Sequence, residues 1–106
     1  MDKAILHLNL TAKWFDLIAA GEKKEEYREI KPYWNRFFSA HIKIKGRQYH
    51  PSDVIICFSN GYAKNRRQMK VACRNLVQRH GRPEWGAKPN TQYHTLILGE
   101  ILEKNF

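Results

Sequence analysis

Cysteine is scarce in this 106-residue chain: Cys57 and Cys73 are the two present, too far apart for a Cys-x-x-Cys unit. Both lie in apolar runs, which reads as buried free thiols and excludes a disulfide framework. No segment approaches the roughly twenty apolar residues of a membrane span, and the N-terminus lacks a basic leader followed by a long apolar stretch. A soluble, cytoplasmic protein with no membrane partner is expected. The five histidines, His7, His41, His50, His80 and His94, lack metal-ligand spacing. There is no phosphate-cradling glycine loop and no Gly-x-Ser-x-Gly elbow, so neither metal nor cofactor is expected.

Acid is the other shortage. Nineteen Lys and Arg stand against ten Asp and Glu, a formal charge of +9. Between Ile30 and Pro83 twelve basic residues meet a single acid, Asp53, whereas four of the ten acids fall between Glu22 and Glu29. A field this lopsided attracts polyanions, nucleic acid first, although net charge speaks of attraction and not of fold. The bland alternative is charge kept for solubility.

The length suits one domain, 1–106, around one core, and the 42% hydrophobic fraction with thirteen aromatics fits a packed globule. Ala4 to Leu10 alternates as a half-buried strand, Thr11 reads as an N-cap, and Trp14, Phe15, Leu17 and Ile18 make a helical stripe from Ala12 to Ala20. Gly21 suits the left-handed position that ends a helix. Pro32 opens a second short helix to about Ser39, carrying Tyr33, Trp34, Phe37 and Phe38 at helical spacing. IKIKG predicts a short strand before a polar connection to Pro51; VIICF, Val54 to Phe58, predicts a buried one. Ser59-Asn60-Gly61-Tyr62 is expected to turn. Gln68 to Val77 alternates with Met69, Val71 and Cys73 on one face, and Tyr93 to Leu102 closes the chain as a strand with Gly99 as a bulge. Arg79 to Gln92 carries two glycines and two prolines and reads as a long, functional loop. Five or six strands with two short helices in the N-terminal half predict a mainly β fold, a small barrel with helices at an open end.

The densest charge lies in Gly21 to Arg28, GEKKEEYR, with six charged residues in eight. On a helix its neighbours four apart would be like-charged: Glu22 with Glu26, Lys24 with Arg28, Glu25 with Glu29. On a strand, Lys24, Glu26 and Arg28 share a side in the order plus, minus, plus. A bulge or irregular start would instead bring Lys23 to Glu26 and Arg28. In a partly buried pocket such a lysine would donate to a carbonyl or phosphate oxygen in a transition state; the alternative is a structural ion-pair network. YAKNRRQMK, Tyr62 to Lys70, places four cations, Lys64, Arg66, Arg67 and Lys70, beside an aromatic, which suits a phosphate backbone with a base stacked on the ring; a solvated hairpin tip is the alternative.

Gly21-Glu22-Lys23-Lys24-Glu25-Glu26-Tyr27-Arg28 fits Gly-x-Lys-x-x-Glu-x-Arg and resembles the signature of the ASCH domain, a small β-barrel related to the PUA domain. Its place after a first strand and helix agrees, and Phe58-Ser59-Asn60-Gly61-Tyr62 and Pro83-Glu84-Trp85-Gly86-Ala87 look like segments of small bacterial or phage ASCH proteins. The resemblance implies a PUA-like barrel with a cleft, lined by Lys23, Glu26 and Arg28, that binds RNA or a nucleotide-like ligand. Some ASCH proteins are ribonucleases, which implies a catalytic role for the three. A related branch hydrolyses N4-acetylcytidine with a lysine, a threonine and a glutamate; Glu26 stands where that branch has threonine, a departure from the amidohydrolase pattern. Tyr27, Asn60, Tyr62 and Trp85 are inferred to meet a base or sugar edge. The expectation is an RNA-binding protein, as a ribonuclease with Glu26 as general base, against a nucleoside amidohydrolase or a non-catalytic adaptor.

Overall fold

The computed structural model describes residues 3–106 and is mainly β. A curled five-stranded half-barrel has the order β1 (Ala4–Leu10), β5 (Val54–Asn60), β6 (Gln68–His80), β7 (Gln92–Lys104), β2 (Glu25–Glu29). A separate hairpin pairs β3 (Ile42–Ile44) with β4 (Arg47–Tyr49). β1 runs parallel to β5 from Ala4↔Val54 to Leu10↔Asn60, and the other neighbours are antiparallel. β6 and β7 change register between Lys70 and Asn75, opposite Gly99. A Cβ on Gly99 would stand 3.1 Å from Arg74 Nε and 3.2 Å from the Ala72 Cβ, so glycine lets the bulged strands close up.

Alternation sets the inner face. Leu6, Leu8 and Leu10 of β1, Met69, Val71 and Cys73 of β6, and Leu96 and Leu98 of β7 are buried in one hydrophobic cluster. The helix α1 (Ala12–Ala19) adds Phe15 and Ile18 to it and packs on β1 and β5. Thr11 is its N-cap by backbone, extended at φ −69°, ψ 160°, without a side-chain hydrogen bond. Both cysteines are free and buried, and burial pushes the Cys73 thiol up to about 11. Among the described residues no helix is long and apolar enough to cross a membrane.

Several boundaries differ from those read in the sequence. The second helix, α2 (Pro32–Asn35), stops well before Ser39. Phe38 is drawn into the core and bridges Ile42, while the Phe37 carbonyl accepts the Lys43 N–H at 2.8 Å; these tertiary contacts replace the next helical turn. The polar stretch after IKI folds back as β4, turning through Lys45 and Gly46 with positive φ at both, as a two-residue hairpin requires. Ser59 and Asn60 continue β5 because Ser59 pairs with Gln68 and the Asn60 N–H reaches the Arg67 carbonyl, so the turn starts at Gly61. β6 runs on to His80, shortening the loop to 81–91, where Pro83–Trp85 forms a 3₁₀ turn.

Candidate functional site

The charged segment is shaped by the way α1 ends. Gly21 takes φ 77°, and the N–H groups of Glu22 and Lys23 both return to the Leu17 carbonyl at 3.0 Å. That tight turn sends the Lys23 side chain inward, where the residue is 3% exposed, and the Leu98 N–H then fastens the Lys24 carbonyl to β7 at 3.0 Å. β2 begins at Glu25 and not at Gly21. Lys24 is consequently left exposed, and the arrangement of Lys24, Glu26 and Arg28 along one strand face does not form. Lys23 takes the place opposite Glu26 from outside the strand, through the irregular start after Gly21 and without a bulge.

Three charges meet there. Lys23 Nζ lies 3.0 Å from Glu26 Oε1, and Arg28 Nη2 lies 2.8 Å from Glu26 Oε2. Lys23 Nζ also donates to the Trp85 carbonyl at 2.7 Å, and Arg28 Nη2 to the Asn9 carbonyl at 3.1 Å. The triad therefore ties the end of β1, the α1–β2 turn, β2 and the 3₁₀ turn together. Aromatic faces cradle it: Lys23 Nζ stands 4.9 Å from the Trp14 ring centre and 5.1 Å from that of Tyr27, and the Arg28 guanidinium 4.8 Å from that of Trp34. Two cations around one carboxylate leave a net positive charge in low dielectric, which favours an anion. Above it opens a cleft of about 250 Å³ walled by Trp14, Tyr27 and Trp85.

Gly86 is needed for that wall. It has φ 103°, and a Cβ there would stand 2.9 Å from Trp14 Cζ2. A second network clamps the 81–91 loop to β2: Glu25 pairs with Arg79 and accepts from the Tyr27 hydroxyl at 2.8 Å, and that hydroxyl accepts the Arg82 N–H at 3.0 Å. Burial, reinforced by the Glu25 carboxylate, raises the Tyr27 pKa well above the ordinary tyrosine range and keeps the hydroxyl a donor.

Arg28 also borders a larger cleft of about 670 Å³ between β1, the α2 segment and the β5–β6 connection. Tyr33, Trp34 and Phe37 form one wall; Tyr62 and Arg66 form the opposite rim. The α2 wall is held from behind by His94, which bonds Asn35 Oδ1 at 2.7 Å and Gln78 Nε2 at 3.0 Å. Burial lowers the His94 pKa.

The other residues singled out in the sequence divide. Tyr27 and Trp85 join the triad cleft, Tyr62 and Arg66 the larger one. Lys64 is exposed and makes no ion pair among the described residues. Asn60 is occupied in the fold, donating to the Leu10 carbonyl at 3.1 Å and accepting from Arg67 Nη2 at 3.0 Å. Arg67 pairs with Asp16 at 2.8 Å and lies over the rings of Phe15 and Phe106. Lys70 pairs with Glu103 at 3.5 Å across β6 and β7. These three are not gathered at either cleft. Trp14, Asn9, Tyr33 and Trp34 line the clefts without having been singled out as site residues. For the α2 aromatics a signal existed: more large rings at helical spacing than one short helix can bury. Among the described residues no group of three or more His, Cys, Asp or Glu is placed to hold a metal ion. Comparison with protein-family models, curated proteins and solved structures finds no match.

Proposed function

We propose that this chain is an RNA- or nucleotide-binding domain of the ASCH type, with the Lys23–Glu26–Arg28 cleft as its ligand site. The observation that carries this reading is the buried triad itself, with its excess positive charge, under an aromatic-walled opening. Its walls suit a base or sugar and its floor suits phosphate. Arg66 and Lys64, beside Tyr62, extend the positive field along the β5–β6 connection without acidic neighbours in the chain from Val54 to Pro83. The test is the affinity of a short single-stranded RNA measured by fluorescence anisotropy at rising salt. Two or three neutralised phosphates predict a slope of log K on log salt of about −1.4 to −2.1. Binding that ignores salt, or that survives Lys23→Met unchanged, would refute the reading.

One feature favours a ribonuclease among such binders. An ammonium has three donors, and Lys23 spends two, on Glu26 and on the Trp85 carbonyl. The third makes no hydrogen bond among the described residues and faces the Trp14 and Tyr27 rings, from which it would turn to meet negative charge developing on a phosphate oxygen, with Glu26 as general base toward a ribose 2′-hydroxyl or a water. Incubation with a mixed pool of short RNAs, analysed by mass spectrometry, decides this. Cleavage by the wild type and not by Glu26→Gln is expected of the enzyme, with RNA binding retained by the variant. Intact RNA from both leaves a non-catalytic binder.

A further inference from the structure

We infer that the domain takes two consecutive nucleotides of one strand, the first in the triad cleft and the base of the second in the larger cleft across Arg28. This rests on the reading of the triad cleft as the RNA site and adds to it the length of the recognised unit. The two clefts adjoin, since Asn9 and Arg28 line both. At about 670 Å³ the larger one falls within the range of small-molecule sites, about 300–1,000 Å³.

Part of its wall is core packing, since Trp34 and Phe37 lie against the hydrophobic cluster, but its tyrosines are not used that way. Tyr33 on α2 is 52% exposed. Tyr62, on the facing rim, is 87% exposed. That rim is nonetheless fastened to β1, because the Gly61 N–H donates to Asn9 Oδ1 at 3.0 Å and Asn60 Nδ2 to the Leu10 carbonyl at 3.1 Å. Exposed rings on anchored backbone are stacking platforms prepared before binding. His7, Asn9 and Ser59 add polar residues to its lining.

Charge selects the occupant. Arg28 and Arg66 line the cleft and, among the described residues, no Asp or Glu does. An aromatic groove for a proline-rich peptide has no need of that one-sided charge. Arg28 has five N–H donors; Nη2 serves Glu26 and the Asn9 carbonyl, and Nη1 makes no hydrogen bond among the described residues. Because Arg28 lines both clefts, a phosphodiester joining the two nucleotides would pass beside its guanidinium.

The experiment is titration calorimetry with three probes: AMP, adenosine 3′,5′-bisphosphate, and the dinucleotide pApA. The bisphosphate carries the second phosphate without the second base, so its comparison with pApA isolates stacking in the larger cleft. The dinucleotide is expected to bind about tenfold or more tighter than the bisphosphate, the effect of one stacked base. Tyr33→Ala with Tyr62→Ala, both at exposed positions, brings that ratio to about one, with melting temperature recorded to confirm folding. Lys23→Met, with Lys23→Arg as the variant that keeps the charge, weakens all three probes. Equal wild-type affinity for bisphosphate and dinucleotide, with AMP binding still dependent on Lys23, overturns the two-nucleotide inference and leaves the triad reading standing. A dinucleotide advantage that persists in the double variant overturns it too, because the second base then lies elsewhere. Failure of all three probes overturns both, and capture of a proline-rich peptide alone would reassign the larger cleft to protein.

Discussion

Glu26→Gln is the sharpest test of how the triad is held. The substitution keeps shape and one acceptor but removes the negative charge between two cations whose side chains are 2% and 15% exposed, Lys23 and Arg28. Breaking a buried pair by neutralising one partner costs about 3–5 kcal/mol, since the remaining charge is left uncompensated. Here the cations keep other partners: Lys23 the Trp85 carbonyl and two ring faces, Arg28 the Asn9 carbonyl and Trp34. The loss therefore falls at the lower end, about 3 kcal/mol. For a chain of this size about 4 °C of melting temperature accompanies each kcal/mol, so a fall of about 12 °C is expected by thermal denaturation. Lys23→Met should cost less, about 1–2 kcal/mol, because Glu26 and Arg28 remain paired and methionine suits the aromatic cradle. The drop should persist in 0.5 M salt, since buried charges are poorly screened. A Glu26→Gln protein melting within about 4 °C of the wild type, or one rescued by salt, would show that water reaches the triad and would refute the desolvated arrangement.

Three further outcomes follow from the geometry. Gly86→Ala, strained by its positive φ and driven against Trp14, should lose about 1–2 kcal/mol in chemical denaturation and weaken RNA binding by displacing the wall over Lys23. Lys64→Gln should leave the melting temperature unchanged and lower the salt slope of RNA binding by about 0.7, whereas Arg67→Gln should destabilise the fold by breaking its links to Asp16 and Asn60. His94 has a lowered folded pKa, so the unfolded chain binds its proton first as pH falls; stability should be full above about pH 7 and decline below about pH 6.5. His94→Gln should flatten that part of the stability–pH curve measured by urea denaturation, and an unchanged curve would remove His94 as its cause.

Local chemistry was enough for most of the fold. Alternation marked β1 and β6, the stripe of Phe15 and Ile18 marked α1, and Gly21 and Gly99 stood where a helix stop and a bulge need them. The like-charge spacing in GEKKEEYR correctly ruled out a helix, while the charges alone left open whether Lys24 or Lys23 joins Glu26 and Arg28. Elsewhere contacts distant in sequence override local preference. Phe38 leaves its helix because burial beside Ile42 outweighs one more turn, and Ser59 and Asn60 leave their turn because Gln68 of β6 and Leu10 of β1 offer them ladder partners.

The roles of individual cations were even less local. Lys64, Arg66, Arg67 and Lys70 are chemically alike in sequence. Asp16, Asn60 and Glu103 turn two of them into structural ties and leave the others open. Tertiary structure also decided which lysine of the charged run faces Glu26, since the Leu17 carbonyl and the Leu98 N–H, not strand alternation, set the rotation of the chain between α1 and β2. Periodicity reports which side of an element is apolar, because each residue carries that property with it. A site reports which charges have lost their water and to whom they are paired, and those partners are supplied only when remote segments come together.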